Sequence, residues 1–251
     1  MGIKDQLITI ASFVRRPEKR KLIRIAMRFR GKKGLEIGGP SSSFSVKSFF
    51  PVYLFADKID GVNYSDETMW EGKIQEGNNY KFYNKTGHQF IREATDLSAI
   101  RSNSYDFILS CHSLEHVANP MKAVEEWRRV LKPRGLLVLV LPDKRNTFDY
   151  NRPYTTMKHL LEDYTVGIGE DDQTHIEEMI NLHDFSRDNT SGSKDELLGL
   201  VRNNYVTRAV HHHVFNFELV NEMLKYFSFT IEHQQAVAPF HLVTIARNHH
   251  E

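Results

Sequence analysis

The chain has 251 residues, 40% of them hydrophobic and 26% charged, with a formal net charge of +1. That size and apolar content suit one soluble domain with a full core, and the balanced charge argues against a basic face for nucleic acid. A single cysteine, Cys111, excludes an intrachain disulfide and suits a reducing compartment, so a cytoplasmic location is expected.

The N-terminal segment, residues 1–33, is rich in lysine and arginine, with only Asp5 and Glu18 opposing them. Leu7, Ile10, Ala11 and Val14 recur at helical spacing, as do Leu22, Ile25 and Met27 with one slip. The apolar stretch Leu7 to Val14 runs into Arg15, Arg16 and Pro17 rather than a small-residue cleavage site, so it makes a poor signal peptide. A basic amphipathic helix of this kind suits peripheral contact with an anionic membrane. The plainer reading is a solvated helix that covers one side of the domain.

Residues 34–142 read as the first half of an α/β sheet. Strands are expected from Gly34 to Ile37, Val52 to Ala56, Phe90 to Ala94 and Tyr105 to Ser110. Ala118 to Leu131 is an amphipathic helix, with Ala123, Val124, Trp127, Val130 and Leu131 on one face. Lys132-Pro133-Arg134-Gly135 ends it, and Leu136 to Leu141 is an unbroken apolar run of the kind buried on both faces of a parallel sheet.

The pattern changes in residues 143–215, which are polar and rich in histidine, with helices expected at Thr155 to Tyr164 and Glu170 to Leu182. Residues 216–251 return to a helix at Phe217 to Tyr226 and strands at Thr230 to Val237 and His241 to Ala246. Alternating strands and helices predict an α/β sheet whose ligands sit beyond the carboxyl ends of the strands. The polar insertion leaves from that edge, where it is placed to form a lid or substrate pocket.

Two motifs carry chemistry. The first is Leu35-Glu36-Ile37 running into Gly38-Gly39-Pro40, where glycines let the backbone turn tightly beside a ligand. It departs from the G-x-G-x-x-G of dehydrogenases, and no triphosphate loop is present. Glu36 could accept from an ammonium group. The second motif is longer. Tyr105-Asp106-Phe107-Ile108-Leu109-Ser110 precedes Leu114-Glu115-His116-Val117, then Glu126-Trp127-Arg128-Arg129-Val130-Leu131-Lys132-Pro133 and the strand to Leu141.

This run resembles the small-molecule, type 11-like branch of the class I S-adenosylmethionine-dependent methyltransferases, over about residues 34 to 142. Arg134 stands where that family usually has glycine. The resemblance implies a Rossmann-like seven-stranded sheet with a long insertion after the fifth strand, and S-adenosyl-L-methionine as cofactor. It also implies roles. Glu36, Gly38, Gly39 and Pro40 would hold the methionyl end. An acidic residue ending the second strand, Asp57 or Asp60, would hold the ribose. Asp96 and Leu97 would meet the adenine. Ser110, Cys111 and His112 would line the pocket beside the sulfonium. The Ser41 to Phe50 segment is short for the helix expected between the first two strands.

Transfer to a hydroxyl needs a base near the reacting atoms, and histidine suits neutral pH. His112 and His183 are the candidates. Arg152, His159, Asp184, His211, His212 and His213 are candidate acceptor contacts, with Arg152 able to fork to a phosphate or carboxylate. No metal is expected: there is no H-E-x-x-H or paired-cysteine motif, and three successive histidines on a strand cannot face one point. The insertion and its His211-His212-His213-Val214-Phe215 segment resemble methyltransferases associated with bacterial surface-glycan synthesis. The expected acceptor is therefore a small polar molecule such as a sugar, nucleotide-sugar or glycan end, methylated on a hydroxyl or amine. The alternatives are an RNA or protein methyltransferase docked through the basic N-terminus, or a non-catalytic binder of the cofactor. No nucleic-acid partner is expected, and oligomeric state is not legible.

Overall fold

The structure is a computed structural model that describes residues 19–188 and 193–249. The expected helix from Leu7 to Val14 lies outside the described residues. The described chain begins with α1 (Arg20–Ala26), which buries Leu22, Ile23, Ile25 and Ala26. Met27, expected on that face, falls in the following 3-10 turn and is half exposed.

The sheet contains β1 (Lys33–Ile37), β2 (Lys58–Asn63), β5 (Gly77–Phe82), β6 (Lys85–Ile91), β7 (Tyr105–Cys111), β8 (Leu131–Pro142), β9 (Phe229–Val237) and β10 (His241–Asn248). A separate small hairpin pairs β3 (Glu67–Thr68) with β4 (Gly72–Lys73). Sheet order is β5-β6-β2-β1-β7-β8-β10-β9. The five central strands β6, β2, β1, β7 and β8 run parallel, while β10 is antiparallel to both of its neighbours. The expected seven strands become eight because β5 pairs antiparallel with β6 at the edge.

Side-chain alternation divides the core between the two faces of the sheet. Leu137, Leu139 and Leu141 of β8 pack on one side, with α3 (Pro120–Val130) and α8 (Phe217–Tyr226). Leu136, Val138 and Val140 pack on the other, with α1. Asn119 accepts from the Lys122 N–H at the start of α3 and Pro120 takes the first helical position, which explains why this helix begins two residues later than the apolar pattern. Asn216 caps α8 in the same way.

The second strand was expected too early. Val52–Phe55 forms one buried helical turn, α2, after Pro51. A short apolar run cannot be told from a buried helix by period alone. The true strand, β2, is masked by Asp60 and Gly61. Gly61 is required because its Cβ would stand 2.1 Å from the Tyr80 ring. Between β1 and β2, Phe44, Phe50 and Tyr53 fill the place of a long helix. The third strand likewise ends at Ile91 rather than running to Ala94.

Between β8 and α8 the chain forms α4 (Met157–Val166), α5 (Ile176–Leu182), α6 (Lys194–Arg202) and α7 (Asn204–Thr207). The helix expected from Glu170 starts only at Ile176, and α6 and α7 were not expected. This segment docks on the sheet edge: the Tyr64 hydroxyl donates to the Val206 carbonyl at 2.8 Å, and Arg208 pairs with Glu93 at 2.6 Å. No described helix is long and apolar enough to cross a membrane.

Candidate functional site

The strand order reverses between β1 and β7, and the chain leaves both strands at their carboxyl ends through tight turns. Gly38 has φ +73° and donates to the Val62 carbonyl at 2.9 Å. A Cβ there would lie 2.2 Å from Ser113 Oγ, which itself donates to the Ile37 carbonyl. His112, just beyond β7, also adopts a positive φ of 50°. A cavity of about 800 Å³ opens at this edge. Gly38, Asn63, Glu93 and His112 are on its sheet wall, and Phe148, His183 and His211 are on its opposite wall.

The expected cofactor residues divide into two groups. Gly38, Pro40, Cys111 and His112 line the cavity. Glu36, Gly39, Asp57, Asp60, Asp96, Leu97 and Ser110 are not on its wall. Glu36 is fully buried and accepts from Tyr53 at 2.8 Å, Tyr80 at 2.7 Å and the Ser41 N–H at 2.9 Å. Burial pushes its pKa up to about 7 against those hydrogen bonds. Glu36 therefore braces the glycine turn from behind instead of presenting a free carboxylate. Gly39 is buried against it.

The ribose candidates fail for a reason of register. Because β2 spans Lys58–Asn63, Asp57 precedes the strand and Asp60 sits in its middle; both are far from its carboxyl end. Asp60 accepts from Tyr105 and the His88 N–H and pairs with Lys33 at 3.0 Å. Burial opposes its charge, but these partners outweigh it and hold the carboxyl below the usual range. The strand instead delivers Asn63 and Tyr64 to the cavity, with Asn63 donating to the Gly39 carbonyl. Asp96 is exposed and caps a turn through the Ser98 N–H, while Leu97 is a core residue whose N–H is held by Glu126. The wall that these two were expected to form is made by Arg92, Glu93 and Ala94. Ser110 is buried within β7.

The histidines also divide. His112 Nε2 stands 2.8 Å from His241 Nδ1, and its Nδ1 is 3.5 Å from Glu115. His183 stacks on Phe148, and its Nε2 is 2.9 Å from Asp188 Oδ2, while Nδ1 is buried without a hydrogen-bond partner. His211 lines the cavity with Nδ1 2.5 Å from Asp149. Burial works against ionisation of this pair, yet mutual attraction raises His211 and lowers Asp149 to about 2. His116, packed edge-on against His211, is driven by burial to about 4.

Arg152 does not face an acceptor. It is buried, paired with Asp149 and Glu178, and donates to the His211 and His212 carbonyls. Its guanidinium is consumed inside the insertion. Asp184 caps the turn at Ser186 and pairs with Arg187. His212 meets Asn204, His213 meets the Ala118 carbonyl, and His159 meets Asp163 and His175. Of the expected acceptor contacts, only His211 reaches the cavity wall.

Sequence reasoning missed Glu115, Asp149 and Asp188. Glu115 is fully buried at the cavity wall, with neither carboxylate oxygen hydrogen-bonded. Burial opposes its charge, but His112, with Nδ1 3.5 Å from Oε1, and the nearby His116 and His211 hold the carboxyl below its usual range. Its place beside His112 and His116 in the Leu114-Glu115-His116 turn was the available signal.

Residues 43–139 match a family model described as a methyltransferase domain. None of the curated proteins matches the sequence. Among solved structures, the chain is similar to an S-adenosylmethionine-dependent methyltransferase from Mesorhizobium loti, with 12% identity over 92% of this chain and 96% of that one and a TM-score of 0.52. It is also similar to 1,6-didemethyltoxoflavin-N1-methyltransferase from Burkholderia thailandensis, solved with S-adenosylhomocysteine. There the identity is 11% over 95% of this chain and 84% of that one, with a TM-score of 0.50. These likenesses show a shared fold.

Proposed function

We propose that the chain is a class I, Rossmann-like methyltransferase that methylates a small polar acceptor using S-adenosylmethionine; the match of residues 43–139 to a methyltransferase-domain model and the sheet order support that reading. The acceptor is a sugar, nucleotide-sugar or glycan end, methylated on a hydroxyl. The observation that carries this reading is one cavity with the glycine turn on its sheet wall and the His183–Asp188 pair on its insertion wall. Its volume of about 800 Å³ is in the range of sites that hold a cofactor and a small acceptor.

The residues present fit the cofactor. The left-handed turn at Gly38 exposes backbone at the end of β1, Asn63 and Tyr64 offer polar groups at the end of β2, and Cys111 and His112 close the site beneath. The cofactor supplies an electrophilic methyl on sulfur. The protein must position the acceptor in line with it and remove the acceptor proton.

His183 is suited to that task. If its Nε2–H donates to Asp188, Nδ1 is the lone-pair nitrogen that takes the proton, and Asp188 stabilises the resulting imidazolium. Glu115 would orient His112 at the cavity wall through the contact to its Nδ1. His112 is a poorer base because both ring nitrogens already face partners. The insertion acts as a lid held by the Tyr64–Val206 and Arg208–Glu93 contacts.

The test is incubation with S-adenosylmethionine and a panel of nucleotide-sugars and glycan ends, with S-adenosylhomocysteine and methylated product followed by mass spectrometry. Calorimetry with the cofactor runs alongside. Cofactor binding together with methylation confined to RNA or protein substrates would overturn the acceptor assignment. Tight NADH binding with none of either sulfur nucleoside would overturn the cofactor assignment.

A further inference from the structure

Behind the cavity, inside the insertion, lies a second cluster that the methyl-transfer reading does not use. His159 and Asp163 are four apart on α4, so they share one helix face. His175 stands immediately before α5, and His213 belongs to the extended stretch before α8. One donor atom from each of these four residues lies within 4.8 Å of the other three. His159 Nε2 is 3.3 Å from His175 Nε2 and 3.3 Å from Asp163 Oδ2, and at His213, whose Nε2 faces the Ala118 carbonyl, Nδ1 is the nitrogen left to ligate.

We propose that His159, Asp163, His175 and His213 form a structural site for a tetrahedral divalent transition-metal ion, zinc by its donor set. Four ligands at bonds of about 2.0–2.1 Å around a tetrahedral ion stand roughly 3.3–3.4 Å from one another. The two separations at His159 already have that value. Three imidazole nitrogens and one carboxylate oxygen match zinc and disfavour calcium or magnesium, which prefer oxygen.

Two further observations point to a ligand. Asp163 Oδ2 and His213 Nδ1 are buried with no hydrogen-bond partner in the protein. Two imidazoles meeting nitrogen to nitrogen can share at most one proton, whereas an ion satisfies both lone pairs. The His213 ring is held by the Ala118 carbonyl at 3.0 Å, the kind of outer contact that orients a metal-ligating histidine.

Other histidine-acid groups in the insertion are weaker candidates. His211 is committed to Asp149 at 2.5 Å, and His212 faces Asn204. None of the four proposed ligands lines the cavity. With all four positions filled by protein, the ion would be structural, joining α4, the approach to α5 and the segment before α8. It would cross-link an insertion whose own apolar cluster contains little more than Met179, Leu197, Val201 and Val210.

The experiment uses the full chain, produced in zinc-supplemented medium and dialysed against metal-free buffer. Elemental analysis should find roughly one zinc per chain, as a closed four-ligand site holds. Chelation should lower the Tm, and added Zn²⁺ should restore it. Co²⁺ added to the metal-free protein should give the intense visible absorption of a tetrahedral complex. His159→Gln is the principal variant, because His159 is partly exposed and its loss leaves the interior packed. It should retain less than a tenth of the wild-type zinc and show no Tm response to chelator. Asp163→Asn should behave alike. Equal zinc in wild type and both variants, or neither zinc uptake nor a cobalt spectrum in the wild type, would overturn the site. These readouts do not depend on methyl transfer, so failure to find an acceptor leaves them unaffected.

Discussion

The sheet and the insertion above it are built from different materials. In β7 and β8 the interior is hydrocarbon: Phe107, Ile108, Leu137 and Leu139 are fully buried and their backbones are paired in continuous ladders. In the insertion the interior is polar: Asp149, Arg152, Arg208, His211, His212 and His213 are buried, with Arg152 and His211 paired to Asp149 and Arg208 paired to Glu93 and Glu170. Apolar burial is non-directional and tolerates adjustment. A buried ionic lattice fails when one partner is removed, because the other is stranded in low dielectric. The sheet should therefore behave as a robust base and the lid as a brittle, pH-sensitive unit.

The sharpest test removes Arg152, which ties Asp149 and Glu178 to the carbonyls of His211 and His212. Arg152→Ala should cost about 3–5 kcal/mol. Hydrogen exchange should show that loss concentrated between β8 and α8. Leu139→Ala in β8 should cost about 2–5 kcal/mol but lower protection throughout the chain. Identical exchange patterns for the two variants would mean that lid and sheet unfold as one body.

Chemistry should divide along the same line. His183→Ala, on the lid wall, should lower turnover by about 10²–10⁴. Its affinity for S-adenosylmethionine should stay within about twofold, since the turn residues of the sheet wall are intact. A variant that loses cofactor binding and keeps turnover would reverse that assignment. Asp188→Asn should follow His183→Ala in part, by removing the negative charge that stabilises the imidazolium.

Buried histidines and buried carboxylates should also respond to acid in opposite directions. Burial lowers His116, in the turn after β7, to about 4 and His212, inside the insertion, to about 3. Unfolded histidine near 6.5 binds more protons than these do, so their contribution to stability is lost as pH falls from about 6.5 toward 4. Beneath the turn, burial raises Glu36 to about 7. Here the native state binds more protons than the unfolded chain, so stability rises as pH falls from about 7 toward 4.5. Denaturant titrations at several pH values, read by exchange in each region, would measure both slopes. Glu36→Gln should flatten the second slope and leave the first. No loss of stability attributable to His116 and His212 as pH falls from about 6.5 would contradict their neutral burial.

The smallest expected effect lies at the turn. Gly38→Ala forces a side chain into a left-handed conformation, at roughly 1–2 kcal/mol, and meets Ser113 Oγ. Calorimetry should show weakened cofactor binding in a folded protein. Adding Ser113→Ala should recover part of the loss by removing the clash, leaving the backbone strain. Full recovery would show that φ at Gly38 carries no cost.

Sequence alone determined the frame. The six apolar residues Leu136 to Leu141 mark a strand buried on both faces, and Phe217–Tyr226 is a helix at the expected residues, because local period and capping residues encode such elements directly. The glycine turn and the Cys111-His112 corner were legible for the same reason: both are short breaks at strand ends. Tertiary structure decided what local period does not contain. Glu36 meets Tyr80 forty-four residues away, and Asp149 meets His211 sixty-two residues away. The register of β2, which turned Asp60 inward, is set by pairing with β1 and β6. Which polar group faces a ligand and which is spent on another side chain follows from such long-range pairings. That choice turned Glu36, Asp60 and Arg152 into braces and brought Glu115 and the His183–Asp188 pair to the cavity.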